Sequence, residues 1–375
     1  MHLSRPLRKS IPGAIYKTLI SPRYKSTSST PASGFTSQTW LSTRTAADLQ
    51  QLARATGIQS SGTKGVLTQR ISSSFLNQSQ HHQNINPQEP WRILSIDMGI
   101  QNLAFAHLVV PCPFSKDIHT GSTYTTTPPT LTAWRRVAVS EFTKESDFSS
   151  KNGSEIQQIP SESTTPLEFT PSLYAETAYK LITTLLSTYS PTHIIIERQR
   201  FRSGGGSAVQ EWTIRVGVFE GMLYAILRAL KAERGYGPFV EGVEPKRVVG
   251  YLGEREREGR EAKTAREVKK MKIDVVGRWL DGYADADAVE NRVQRVLVGE
   301  ELVRDMVDGY LRRWKGVRTK GGAGSGSGSG AKVGKLDDLA DCLLQGVTWL
   351  EWQVMLERLV REGMKALDAL ETDRV

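Results

Sequence analysis

The run Trp91-Arg92-Ile93-Leu94-Ser95-Ile96-Asp97, followed by Met98-Gly99, describes a buried strand that ends in an acid. A short, mostly aliphatic run bounded by glycine reads as a strand covered on both faces. Gly99 lets the backbone turn tightly beside that acid and leaves room there. Asn102 follows, then Leu103–Val110 reads as a second strand and 131–142 as a third. A helix is expected over 173–188, with Leu181, Ile182, Leu185 and Leu186 on its apolar side. Pro191 interrupts, and His193–Glu197 is another short buried strand that ends in an acid. A long helix over 208–231, a strand at Phe239–Val243, a short helix started by Pro245 and a basic helix over 262–280 come next. A terminal helix closes the order. Three meandering strands followed by alternating helices and strands predict an α/β domain, a mixed five-stranded sheet flanked by helices.

The acids fall at telling places. Asp97 and Glu197 each end a strand, and Asp337, Asp338 and Asp341 open the terminal helix. There Leu336, Leu339, Ala340, Leu343, Val347 and Leu350 cluster on one side and the three aspartates on the other. At i, i+3 and i, i+4 the aspartates repel each other by a few tenths of a kcal/mol per pair, roughly, a penalty that a bound cation removes. Such acids also suit the positive end of the helix dipole with no ligand at all. Their coincidence with two strand-end acids favours a site. Carboxylate oxygens suit Mg²⁺ or Mn²⁺, and no thiolate or imidazole set competes. Two ions per site, roughly 3.5–4 Å apart, would drive in-line displacement at phosphorus. Asp97 is expected to bridge them, Glu197 to hold one and the terminal aspartates the other.

Composition points to a polyanionic partner: 49 Lys+Arg against 40 Asp+Glu give a formal charge of +9 over 375 residues. No run approaches the ~18 apolar residues of a membrane span, and Cys112 and Cys342 are too few for a disulfide framework. Residues 1–36 carry basic and hydroxylated side chains and no acid, the composition of a mitochondrial transit peptide. Over 37–77 a small helical module is expected. Thr45 caps a helix bearing Leu49, Leu52 and Ala53, Gly57 ends it, and Ser61-Gly62-Thr63-Lys64 opens a second helix through Ile71. Residues 78–90 read as linker and 91–375 as the main domain, with flexible insertions near 112–130, 143–171 and 283–330. The Gly-Ser tract 321–330 lacks the Lys-Ser/Thr that completes a phosphate loop, so no small-molecule cofactor is expected.

Asp48-Leu49-x-x-Leu52, Gly57 and Gly62-Thr63-Lys64-x-x-Leu67-x-x-Arg70-Ile71 resemble a SAP motif, a two-helix DNA-binding module. The runs from Ser95 to Ala104 and from Ile196 to Ser203, with Asp337-Asp338-Leu339-Ala340-Asp341, resemble the fungal mitochondrial Holliday junction resolvases. These are a RuvC-like branch of the RNase H-like superfamily, and they often carry a SAP motif. The resemblance spans about 38–76 and 91–352. It implies a homodimeric, Mg²⁺-dependent endonuclease of the mitochondrial matrix that resolves four-way DNA junctions by paired symmetric nicks. It places the catalytic and metal-binding acids on Asp97, Glu197, Asp341 and the Asp337/Asp338 pair, with the fungal likeness favouring Asp337. Candidate DNA contacts are Lys64, Arg70, Asn102, Arg198, Gln199, Arg200, Arg202, Ser203, Lys263, Lys269 and Lys270. Two other readings fit the same residues. One is an RNase H-like nuclease for RNA–DNA hybrid or other branched DNA; the other is a non-catalytic SAP-type mitochondrial DNA binder.

Overall fold

The computed structural model describes residues 39–82, 89–113, 127–139, 170–199, 211–256, 264–283, 295–317, 335–363 and 366. The expected transit peptide and most of the three insertions lie outside these residues, as do Arg200, Arg202, Ser203 and Lys263.

Three strands form an antiparallel meander: β1 (Trp91–Asp97), β2 (Leu103–Val110) and β3 (Thr130–Val137). β4 (His193–Glu197) lies parallel to β1, and β5 (Phe239–Val243) parallel to β4. The sheet has six strands in the order β5-β4-β1-β2-β3-β6, one more than the sequence suggests. β6 (Leu297–Val298) is a parallel edge pair beside β3. Two residues carry no readable alternation, so a strand of that length leaves no sequence signal.

The sheet is covered on both faces, which is why its central strands read as continuous aliphatic runs. One face packs on α4 (Pro171–Tyr189) and α5 (Glu211–Arg234) through Leu94, Ile96, Leu181, Ile182, Phe219 and Leu223. The other packs on α6 (Pro245–Arg255), α7 (Ala265–Leu280), α8 (Glu301–Trp314) and α9 (Leu336–Glu362). α8 falls within the expected insertion 283–330. Its buried Val303, Val307, Tyr310 and Leu311 keep helical spacing, which corrects that part of the insertion. α9 differs from the expected amphipathic helix. Every residue from Cys342 to Leu350 is buried, because the sheet covers one side and α7, α6 and the N-terminal helices the other. Asp337, Asp338 and Asp341 lie where the helix emerges, in its first two turns.

The N-terminal helices are α1 (Trp40–Thr43), α2 (Ala46–Ala55) and α3 (Lys64–His82). Thr45 and Asp48 form a reciprocal capping box at the start of α2. α3 runs past Ile71 to His82, into the expected linker, because Leu67, Ile71, Phe75 and Gln78 extend one buried stripe. These helices complete the core at the far end of α9: Leu49, Leu52, Leu67 and Phe75 cluster with Met355, Leu356 and Leu359. Gly57, at φ +68°, lies where any Cβ would collide with the Trp352 ring, and its carbonyl accepts from Arg247 Nη1 at 2.9 Å.

His107 on β2 is 5% exposed, with Nδ1 2.6 Å from Thr132 Oγ1 and its ring beside Tyr189. Burial, aided by the Arg92 charge, pushes this imidazole down to about 4. The unfolded chain, at an ordinary value near ~6.5, therefore binds the proton that the folded chain refuses. Stability falls as pH drops from about 6.5 toward 4, by up to about 3 kcal/mol. Denaturant titrations across that window are expected to show a shallower slope for His107→Gln; an unchanged slope contradicts the assignment.

Candidate active site

Side chains alternate along a strand, so Trp91, Ile93, Ser95 and Asp97 share one face of β1, as do His193, Ile195 and Glu197 on β4. That face meets α9. The Trp91, His193 and Trp349 rings pack together at one end, with centroids 4.2 to 5.9 Å apart. Further along, Gln345 meets Ser95, Ile96 and Ile195. At the carboxyl ends of the strands, Glu197, Asp341 and Asp338 act on Asp97, and Glu197 acts on Asp341. Four residues of helix rise ~6.0 Å and two of strand ~6.6 Å, so an antiparallel helix matches the strands step for step. This match gathers acids more than 200 residues apart in the chain.

The electrostatics follow from crowding. Asp97 is pushed well above the usual carboxylate range, first by burial, then by its hydrogen bond with Glu197 and the charges of Glu197, Asp341 and Asp338. Asp341 is pushed up to about 6 by burial, against the pull of Lys272, with Glu197 and Asp337 adding to the rise. Asp338 is raised by burial and by Asp337, while Arg136 opposes the shift.

Each helix acid has a cation. Lys269 Nζ lies 2.5 Å from Asp337 Oδ2, Lys272 Nζ 2.5 Å from Asp341 Oδ1, and Arg136 Nε 3.0 Å from Asp338 Oδ2. Arg136 also donates to Asn102 Oδ1, tying the turn after β1 to the same acid. The Trp134 indole donates to Leu339 O at 3.0 Å and seats the first turn of α9 on β3.

The other expected contacts divide. Gln199 is a brace: its backbone N–H donates to Glu220 Oε2 at 3.1 Å and its Nε2 to Met98 O at 3.2 Å. Arg70 spends its guanidinium on Gln59 O and Ser61 O, at 3.2 and 2.5 Å. Lys64, Arg198 and Lys270 are exposed. Arg136, Glu220 and Gln345 are not among the residues expected at the site from sequence, and Lys272 enters only as part of the basic helix over 262–280. Glu220 and Gln345 each interrupt a buried apolar stripe, and that was the available signal.

Crowded carboxylates with raised proton affinity fit a hard divalent cation by donor chemistry. Among the described residues no three acids, thiols or imidazoles are arranged to share an ion. Lys272 and Arg136 each hold one oxygen of Asp341 and Asp338.

A family model described as mitochondrial resolvase Ydc2 / RNA splicing MRS1 matches residues 93–359. The mitochondrial cruciform cutting endonuclease 1 of Schizosaccharomyces pombe is 26% identical over 314 residues, 82% of this chain and 92% of that protein. The crystal structure of the yeast mitochondrial Holliday junction resolvase Ydc2 is 25% identical, with a TM-score of 0.51 over 86% of this chain and 99% of that one.

Proposed function

The chain belongs to the mitochondrial resolvase Ydc2 / RNA splicing MRS1 family, and from that premise we propose that it is an endonuclease that resolves four-way DNA junctions in mitochondria. One observation carries the reading: Asp97, Glu197, Asp338 and Asp341 meet at the carboxyl ends of two parallel strands. Those four residues would hold Mg²⁺, or Mn²⁺, with two ions per site. Bound there, such ions activate a water and stabilise the leaving oxygen. The protein's own part is to keep the acids crowded and to aim them at one phosphate. Lys269 and Lys272 line the same edge on α7. Lys272, now paired with Asp341, and the exposed Lys269, now paired with Asp337, would meet flanking phosphates. Arg198, exposed next to Glu197, serves the opposite side. The SAP-like helices, fixed on the far end of α9, would hold a DNA arm through Lys64.

Paired symmetric nicks require two such sites, hence a homodimer. The exposed Ile214 and Val218, one turn apart on α5, supply an apolar strip suited to a second copy. The basic, acid-free N-terminus would deliver the chain to the matrix.

A panel of four-way junction, flap, duplex and RNA–DNA hybrid, at matched salt with Mg²⁺, tests the substrate. Cleavage of the junction well ahead of the others is expected. Preference for hybrid would transfer the same site to another RNase H-like nuclease. Because the family description also includes RNA splicing, and cations already cover three of the acids, a non-catalytic nucleic-acid binder is the second reading. It predicts binding without cleavage on every substrate.

A further inference from the structure

Directly beneath the acids, α9 carries a polar residue that the chemistry described so far does not use. Gln345 is 4% exposed, within a run of buried apolar residues. Its Nε2 lies 3.1 Å from Ser95 Oγ, 3.2 Å from Ile96 O and 3.3 Å from Ile195 O. Two of these partners are carbonyls, which only accept, so the amide nitrogen must face the sheet. One side chain thus holds β1 and β4 together to the helix, one residue before each strand's last acid or its neighbour. The next residue explains how α9 comes so near. A Cβ on Gly346 would stand 3.0 Å from Ser95 Cβ and 3.0 Å from Leu108 Cδ1, tighter than ordinary packing.

Apolar packing alone is non-directional and tolerates a helix that slides or turns slightly. The Gln345 amide does not, because a shift along the strands leaves its buried N–H groups without acceptors. We infer that Gln345, seated by Gly346 against Ser95, is a positioning residue that fixes the register of Asp338 and Asp341 against Asp97 and Glu197. It sits four residues, one helical turn, from Asp341, and Ser95 sits two residues, one strand repeat, from Asp97. The inference rests on the nuclease reading for its consequence and on these contacts for its geometry.

The test uses the full chain and Mn²⁺ as probe, with free Mn²⁺ followed by electron paramagnetic resonance and junction cleavage measured in parallel. Gln345→Met keeps the length and removes the amide. It is expected to weaken Mn²⁺ binding and slow cleavage by about 10- to 100-fold, the usual effect of losing a residue that orients metal ligands, with junction binding retained. Trp349→Leu, on the same helix face but away from the acids, should lower the melting temperature and leave Mn²⁺ affinity unchanged. A Gln345→Met protein that melts earlier yet binds Mn²⁺ and cleaves like wild type overturns the inference. Should that variant not fold, Ser95→Ala decides: Mn²⁺ binding weaker by about threefold, the worth of one hydrogen bond, supports it, and wild-type affinity overturns it. If wild type binds Mn²⁺ but cleaves no junction, the nuclease reading fails while the Mn²⁺ arm still judges the register.

Discussion

Asp97→Asn is expected to abolish junction cleavage while leaving junction binding within about twofold of wild type. Asp97 is the acid on which the others converge, so its loss removes the common member of the site. Lewis-acid stabilisation at such a centre is worth several kcal/mol. Each ~1.4 kcal/mol is tenfold in rate, so a loss of roughly 10³-fold or more should be seen. The same variant should be more stable than wild type in EDTA at neutral pH. The sign follows from the raised folded value: the folded state binds a proton that the unfolded carboxyl has released, so native stability declines as pH rises past the ordinary carboxylate range. Asparagine has no such charge to crowd against Glu197. The stability gain should therefore shrink toward acid pH. Single-turnover cleavage, a gel-shift titration and thermal melts in EDTA check the three parts. Cleavage at wild-type rate would remove Asp97 from the mechanism.

The second large effect separates the adjacent aspartates. The fungal likeness pointed to Asp337 with Asp341; we propose Asp338 instead, because its charge acts on Asp97 while Asp337 pairs with the exposed Lys269. Asp341→Asn and Asp338→Asn are each expected to reduce cleavage by roughly 10²-fold or more, the usual scale for a group aimed at transition-state charge. Asp337→Asn should cost under about tenfold, since its carboxylate acts on the site through Asp338 and Asp341. The contrast should reappear in the Mg²⁺ concentration for half-maximal cleavage, raised for Asp338→Asn and near wild type for Asp337→Asn. The reverse order of the two variants would reassign the ligand.

Much of this arrangement was legible before any fold was described, and the reasons are physical. Buried central strands need aliphatic residues throughout, so β1 and β4 stood out, and an acid at the end of each marked a break in that pattern. The helix acids were legible because charge in a terminal turn contrasts with Leu336, Leu339 and Leu343. Pairwise contacts across the chain were not. Nothing local to Arg136 announces that it will reach Asp338 and Asn102, since that contact depends on β3 lying two strands from β1. α8 was hidden by its charged exposed face and by the Gly-Ser tract that follows. The all-round burial of α9 was misjudged for a related reason. An amphipathic pattern reports one covered face, and the second cover comes from α7 and α6 and, at the far end, from α3, whose own stripe runs on into residues expected to be linker.

The central claim is that one chain's crowded acids cut DNA at a junction, and do so in pairs. Mapping the nicks on an end-labelled four-way junction, with Mg²⁺ and with EDTA, tests it most directly. Two symmetric nicks on opposing strands with Mg²⁺ and none with EDTA are predicted. An intact junction in Mg²⁺ and in Mn²⁺, bound but uncut, would contradict it.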